Sequence, residues 1–231
     1  MSCYRLLLSL LNSMVQSLRS QRKHCLLIKQ QLIVMMVAKQ YIFAYGSLIN
    51  SASRRVTGTA GNSIPVRVQG LKRYWVSFAG TNMRAVGVRP DKDSDCNGVL
   101  FEVPQEELAK FDIRERGYVR HTLSQEQVSY LLPGQYKLSD DNTIWVYIYP
   151  EDPHKAQFNP ISQAYLDVIL LGCLEVDESY AREFLETTHL WQDWHNDRLQ
   201  PRYPRAIKHH QQHRLDALLA TCCDEFTARY N

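Results

Sequence analysis

The first 90 residues contain no aspartate or glutamate, and the first acidic side chain is Asp91. Thirteen lysines and arginines lie in that stretch, whereas the remainder carries 14 basic and 24 acidic residues. Such an asymmetry suits a nucleic-acid or membrane face, a basic half packed on an acidic half, or a basic pocket for a carboxylate. No basic run is interleaved with aromatic residues at a regular spacing. We therefore favour the last two interpretations and predict no nucleic-acid partner.

Long hydrophobic runs are also missing. The leucines of Leu6–Leu11 form a run far shorter than the about 20 apolar residues that cross a bilayer, and Lys29 interrupts the run from Cys25 to Ala38. We therefore predict no stable membrane insertion. The sequence also lacks a phosphate-binding glycine-rich loop, a zinc motif and an internal repeat.

Paired cysteines are scarce. None of the six forms a C-x-x-C pair, and the neighbours Cys222 and Cys223 cannot easily bridge each other. Reduced and mostly buried thiols are typical of a cytoplasmic protein, so we predict that location. The six positions are Cys3, Cys25, Cys96, Cys173, Cys222 and Cys223.

With 231 residues, 45% hydrophobic and 22% charged, the chain is long enough for one domain, or one domain with an extension. Residues 1–39 are basic, and their leucines fall on one helical face. They are compatible with an added helix, a targeting peptide, an interfacial membrane helix or an upstream start that adds non-native sequence. Because Met35 and Met36 stand just before the first strand, we favour an extension outside the main domain.

Residues 40–150 are typical of short strands separated by turns. We expect a charged loop at Pro90–Cys96 and a helix at Pro104–Phe111. The strands are expected at Ile64–Gly70, Leu71–Phe78, Ala85–Val88, Val99–Val103, Tyr118–Val128 and Thr143–Tyr149.

Residues 151–231 follow a proline-rich linker and turn helical. Helices are expected at Ile161–Cys173, at Asp177–Thr187 with Asp177 as N-cap, and at Gln211–Arg229. The aromatic stretch Trp191–Pro204 should pack back on the body of the protein. The pattern predicts an α+β protein with an N-terminal extension (1–39), a domain (40–150) and a helical C-terminal extension packed on it (151–231).

The stretch Tyr41–Leu48 is the best candidate for a functional site. Its first half has the β-branched and aromatic composition of a buried strand, which breaks at Gly46-Ser47. Backbone N–H groups in such a turn can hold a carboxylate or a developing oxyanion, and Gly46 has no Cβ to keep a ligand away. On these residues alone an ordinary strand-to-loop exit is the preferred explanation, because a Gly-Ser turn is a weak signal.

Two segments in order resemble motifs of the γ-glutamylcyclotransferase superfamily, which includes AIG2-like and ChaC-like proteins. Phe43–Leu48 resembles the substrate-binding signature, and Phe111–Arg120 resembles the segment with the catalytic glutamate. The resemblance covers about residues 40–150. It implies a small mixed β-barrel with flanking helices, and a cofactor-free, metal-free enzyme that converts a γ-glutamyl amide to 5-oxoproline and releases the amine or amino acid.

The resemblance also implies roles for single residues. Glu115 falls at the position of the catalytic general acid/base, and Tyr147 at that of a substrate-contacting tyrosine. The remaining substrate-binding residues would be Ile42, Phe43, Ala44, Tyr45, Gly46, Ser47 and Leu48. Leu48 stands where the better-known cytosolic enzyme has asparagine, so the leaving group stays open between glutathione, a γ-glutamyl amino acid and a γ-glutamyl amine.

Weaker candidates compete with this interpretation. Asp112 is a second carboxyl near Glu115, and His209, His210 and His213 have the spacing of helical metal ligands without an acidic or cysteine partner. An inactive AIG2-like module that binds a ligand or a partner would keep the same pocket. The sequence does not predict the oligomeric state.

Overall fold

The computed structural model describes residues 38–132, 134, 138–155 and 159–222. The expectations for residues 1–37, and for the helix beyond residue 222, lie outside these ranges. The described part is a mixed α+β structure, as predicted. Its strands are β1 (Gln40–Ala44), β2 (Ser63–Ser77), β3 (Arg84–Val103), β4 (Val119–Leu123), β5 (Val128–Tyr130), β6 (Thr143–Ile148), β7 (Ile161–Ser162), β8 (Thr188–His189) and β9 (Trp194–His195).

Helices lie in the connections of the sheet and in the C-terminal part of the described chain. Short 3₁₀ turns at Ser47–Ile49, Gln105–Glu107 and Gln125–Gln127 accompany them. None of the helices in the described ranges is long and apolar enough to cross a membrane. The α-helices are α1 (Ser51–Arg55), α2 (Leu108–Arg114), α3 (Gln163–Cys173), α4 (Glu178–Glu186) and α5 (Gln212–Cys222).

The sheet is open, so the expectation of a closed β-barrel is wrong. Its strand order is β4-β6-β1-β3-β2-β5, with β1 antiparallel to β3 and parallel to β6. Within the described residues the edge strands β4 and β5 do not pair with each other. They have only five and three residues, so they offer few backbone groups for closing the sheet. The short strands β7, β8 and β9 add to its far end.

A long hairpin of β2 and β3 replaces four of the short strands that the sequence suggests. Gly70, with φ +83°, continues β2 across a register shift rather than ending it. The expected charged loop Pro90–Cys96 lies inside β3, because Leu71 pairs with Pro90 and Gln69 with Asp95. The residues between those two pairs bulge opposite Gly70, so their charges reach solvent without ending the strand.

Helix α3 supports the turn that follows β1. All but one of its residues are buried, and Ser162 caps its start by accepting from the Tyr165 N–H. Gly172 brings the helix against the backbone of the turn, since a Cβ there would lie 2.4 Å from the Asn50 nitrogen. The turn is therefore held from behind by a close helix–backbone contact.

The C-terminal segment lies on the sheet. Strand β7 pairs with β3, and β8 pairs with β2. The Trp191 ring contacts Trp75 at a centroid distance of 5.3 Å, and Tyr203 contacts Tyr165 at 4.8 Å. Asp177 caps α4 through the Tyr180 N–H. The division of the chain at residues 39/40 and 150/151 stays a prediction.

Candidate active site

Strand β1 ends in a turn whose amides are free to bind a ligand. Residues Tyr41–Ala44 are buried between β3 and β6, and the chain then turns as the Ile49 N–H donates to the Gly46 carbonyl at 2.8 Å. No hydrogen bond among the described residues uses the amide N–H of Gly46, Ser47 or Leu48 as donor. Three adjacent amides are thus available to an anionic or carbonyl oxygen.

Two side chains hold this turn in place. The Tyr45 hydroxyl donates to the Tyr147 carbonyl, which ties the turn to β6. The Arg54 side chain is buried, with 3% of the residue exposed. Its guanidinium donates hydrogen bonds to the backbone carbonyls of Leu48 at 2.8 Å and Ile49 at 2.6 Å. These contacts tie the turn to β6 and to the side chain of Arg54.

Glu115 stands at the end of α2. Its N–H donates to the Phe111 carbonyl at 2.8 Å, and its carbonyl accepts from the Tyr118 N–H at 3.0 Å. Gly117, which lies between Glu115 and Tyr118, has φ +102°, a conformation that favours glycine. The chain therefore reverses its direction directly after Glu115. The reversal brings Glu115 and Tyr118 to the same pocket.

The Glu115 carboxyl is 17% exposed and has a raised pKa. Burial is the main cause, since it penalises the charged form. The positive charges of Arg114 and Arg205 partly oppose it, and the Arg114 Nε lies 3.2 Å from Glu115 Oε1. A raised pKa makes a carboxyl a better proton acceptor than an ordinary glutamate, which suits a general acid/base.

Arg114 links the turn, the glutamate and the C-terminal segment. Its Nη2 donates to the Ser47 hydroxyl at 3.1 Å and to the Tyr203 hydroxyl at 3.3 Å. Its Nη1 donates to the Ser53 carbonyl at 2.7 Å and to the Thr57 hydroxyl. With every nitrogen engaged, Arg114 positions its neighbours and has no free donor for a ligand.

Three tyrosines complete the walls. The Tyr118 hydroxyl donates to the Val86 carbonyl at 2.8 Å, and the Tyr165 hydroxyl accepts from the Val86 N–H at 3.4 Å. The Tyr147 hydroxyl donates to Asp112 Oδ1 at 2.8 Å. Burial raises the pKa of all three phenols, so they are neutral and act as hydrogen-bonding groups.

All nine residues that the resemblance assigns to catalysis or substrate binding line one small pocket. The pocket is narrow, with a cavity volume of about 30 Å³. Val86, Tyr118 and Tyr165 line it too, although the sequence did not assign them. Tyr118 stood within the matched motif, whereas nothing in the sequence places Val86 or Tyr165 there. The predicted residues in the pocket are Ile42, Phe43, Ala44, Tyr45, Gly46, Ser47, Leu48, Glu115 and Tyr147.

A wider cleft adjoins this inner pocket. The cavity volume of this cleft is about 700 Å³. The inner pocket and the outer cleft share four lining residues: Ser47, Glu115, Tyr118 and Tyr165. The outer cleft takes further walls from Phe78, Arg114, Arg116, Glu151, Tyr203 and Arg205. Glu115 therefore lies at the junction between a narrow and a wide space.

The other candidate residues, Asp112 and the histidines, do not line the inner pocket. Asp112 is ion-paired with Arg120 at 3.1 Å and accepts from Tyr147, so it supports the pocket from behind. His209 contacts the buried Asp167 at 3.2 Å. In the part of the chain that the structure describes, no group of three histidine, cysteine or acidic residues is arranged to hold a metal.

A largely buried carboxyl lines the same tyrosine-walled pocket as three unpaired amides, an arrangement that can hold a small molecule. The family model described as "Gamma-glutamyl cyclotransferase, AIG2-like" matches residues 42–166, more than half of the chain. The chain therefore belongs to the AIG2-like γ-glutamyl cyclotransferase family. A search of curated protein sequences finds no match.

Solved structures with similarity to this chain have low sequence identity. A human protein, loc79017, is 14% identical, covering 79% of this chain and 99% of its own, with a TM-score of 0.48. A γ-glutamyl cyclotransferase is 15% identical with the same coverage and TM-score. A yeast γ-glutamyl cyclotransferase specific to glutathione is 15% identical, covering 82% of this chain and 97% of its own, with a TM-score of 0.42.

Proposed function

We propose that this protein cyclises a γ-glutamyl amide to 5-oxoproline and releases the amine or amino acid, with Glu115 as general acid/base. Family membership supports the reaction class. The observation that carries the proposal is the position of Glu115, a carboxyl with raised pKa in the same pocket as the unpaired amides of Gly46, Ser47 and Leu48. A base and a carbonyl-polarising group are the two elements that such a reaction needs.

The reaction joins two ends of one molecule. The α-amine of the glutamyl group attacks its own γ-carbonyl carbon, a ring C–N bond forms, and the C–N bond to the leaving amine breaks. Because nucleophile and electrophile are already tethered, the protein mainly has to hold the chain folded back on itself. The tight inner pocket favours the compact conformer over the extended one.

Glu115 handles the protons. At neutral pH the α-amine is protonated and cannot attack, so the ionised Glu115 takes up its proton first. The same carboxyl then donates a proton to the departing nitrogen, which leaves as an amine. One group performs both transfers in sequence, which requires a pKa between those of an ordinary carboxylate and an amine.

The turn after β1 binds the rest of the glutamyl group. In this proposal the amides of Gly46, Ser47 and Leu48 hold the α-carboxylate and polarise the γ-carbonyl, while Tyr147 and the β1 residues form the walls. Gly46 helps because a Cβ at that position would stand 3.5 Å from the Tyr165 hydroxyl and occupy space inside the pocket. No cofactor takes part in any step.

The alternative is a module that binds the same ligand without converting it. The ion pair between Arg114 and Glu115 favours it, since a paired carboxylate gives up its charge less readily. Incubation with a panel of γ-glutamyl amino acids, peptides and amines, followed by assay of 5-oxoproline, separates the two. Release of 5-oxoproline is expected; calorimetric binding without release would establish the alternative.

A further inference from the structure

The outer cleft contains two cations that have no ion-pair partner in the described structure. Arg116 and Arg205 are both exposed, and neither forms an ion pair or a side-chain hydrogen bond with any described residue. Resting on the function proposed above, we propose that Arg116 and Arg205 bind an anionic group on the leaving part of the substrate. The protein would then select γ-glutamyl amino acids or peptides over γ-glutamyl amines.

The other charges of the outer cleft are already engaged. Arg114 is paired with Glu115 and donates to four hydroxyls and a carbonyl. Glu151 is ion-paired with Lys155 at 3.4 Å. Among the described residues that line the outer cleft, the cations without an ion-pair partner are therefore Arg116 and Arg205.

The connection between the two spaces determines what enters the outer cleft. If the glutamyl group fills the inner pocket, its γ-carbonyl lies near Glu115, where both spaces meet. The leaving nitrogen must also reach Glu115 to receive its proton, so the group attached to that nitrogen points into the outer cleft. A carboxylate on this group would thus face the two arginines.

The C-terminal segment anchors Arg205 at this place. Tyr203 packs on Tyr165 and accepts a hydrogen bond from Arg114, and the Ala206 N–H donates to the Tyr203 carbonyl at 3.1 Å. Arg202 donates to the Asn82 carbonyl at 2.8 Å, which fixes the segment to the chain just before β3. Arg205 lies beyond residues 42–166, so this contribution to the cleft comes from outside the region that the family model matches.

The test compares two substrates that differ in one charge. The ratio of kcat/KM for γ-glutamyl-alanine to that for γ-glutamyl-alaninamide is measured for the parent protein, for Arg116→Gln, for Arg205→Gln and for the double variant. Both arginines are exposed, so we expect a parent ratio of about 10, falling toward about 1 in the double variant and also falling with added salt. Arg55→Gln, an exposed change that lines neither space, should keep the parent ratio.

The ratio of the two kcat/KM values reports only on how the arginines recognise the carboxylate of the leaving group. Arg205 also affects the pKa of Glu115, but that effect acts on both substrates equally and cancels. Equal kcat/KM for the two substrates in the parent, or an unchanged ratio in the double variant, would overturn the proposal.

Binding measurements separate this proposal from the function on which it rests. Calorimetric dissociation constants of the two compounds are measured with Glu115→Gln protein, with and without the arginine changes. If no 5-oxoproline forms in the parent, the enzymatic function fails, yet an arginine-dependent preference for γ-glutamyl-alanine would still support the anion site. Equal affinities for the two compounds would refute it.

Discussion

The inner pocket and the outer cleft meet at Glu115 but are assembled differently. Most of the inner pocket comes from one strand and its turn, Ile42–Leu48, packed against tyrosines of neighbouring elements. The outer cleft also contains Tyr203 and Arg205 from the C-terminal segment. Tyr203 contacts Arg114, although the two residues are 89 positions apart in the sequence. Under the proposed function, the glutamyl group would be bound by a local motif, whereas the leaving group would meet side chains from distant parts of the chain.

The two spaces also differ in what their charges do. The side chains of Arg54 and of Arg114, which also lines the outer cleft, are buried and donate to carbonyls and hydroxyls that position the turn. In the outer cleft Arg116 and Arg205 are exposed and unpaired. Substitutions should therefore affect chemistry at the inner pocket and selectivity at the outer cleft.

The largest effect is expected from Glu115→Gln, at the junction. Glutamine has nearly the same shape, so the fold and substrate binding should be retained. It can neither take up nor donate the proton, so 5-oxoproline release should fall by more than the about 10²–10⁴-fold usual for a general acid–base group, because two transfers depend on it. Initial-rate assays of 5-oxoproline measure this loss.

A matched control is Glu106→Gln, the same change at an exposed position before α2. It should turn over at the parent rate. A Glu115→Gln protein that also retains the parent rate would remove the proposed mechanism.

An intermediate effect is expected from Gly172→Ala, which acts on the inner pocket from behind. The new Cβ would lie 2.4 Å from the Asn50 nitrogen and 2.8 Å from the Ile49 carbonyl carbon, so helix or turn must move. Overpacking of this kind costs about 1–3 kcal/mol, and displacement of the turn should reduce kcat about 100-fold. Thermal unfolding and 5-oxoproline assays measure the two effects.

Gly61→Ala is the comparison for this change, because the three atoms nearest to its Cβ all belong to Glu102 and lie 3.3 Å or more away. Its effect on unfolding and on rate should be smaller than that of Gly172→Ala. Parent-like stability and rate in Gly172→Ala would show that the contact between α3 and the turn does not position the site.

The smallest effect is a pH-dependent difference in stability. Since burial raises the pKa of Glu115 above its usual 4.5, the neutral carboxyl stabilises the folded state below that value, and this stabilisation is lost as pH rises through the folded-state pKa. A glutamine at this position does not ionise, so Glu115→Gln should melt higher than the parent at about pH 8 and equally at about pH 4. Melting curves at both pH values measure the difference.

The reverse order, with the parent more stable at the higher pH, would mean that the ion pair with Arg114 outweighs burial. Comparing variant with parent cancels the other titrating groups, so the sign of the difference reports on Glu115 alone.

The sequence alone predicted the α+β class, the helices of the C-terminal part and the strand and turn that become the inner pocket. Each is a local property: composition and period define a strand or helix, and Asp177 caps α4 as expected. The long β2–β3 hairpin was missed, because Gly70 and the charged residues after Pro90 are locally turn-like and only cross-strand pairing keeps them in a strand. The barrel expectation failed since edge closure depends on strand lengths in the assembled sheet.

Only the tertiary structure decided what the charges do. The sequence showed a basic first half and an acidic remainder, and the fold pairs some of them, as in Arg67 with Glu183 at 2.7 Å and Arg84 with Asp193 at 3.0 Å. Among the described residues it leaves Arg116 and Arg205 without an ion-pair partner, and it gathers Val86, Tyr118 and Tyr165 around Glu115. Side chains far apart along the chain become neighbours through long-range packing, which no local pattern of residues records.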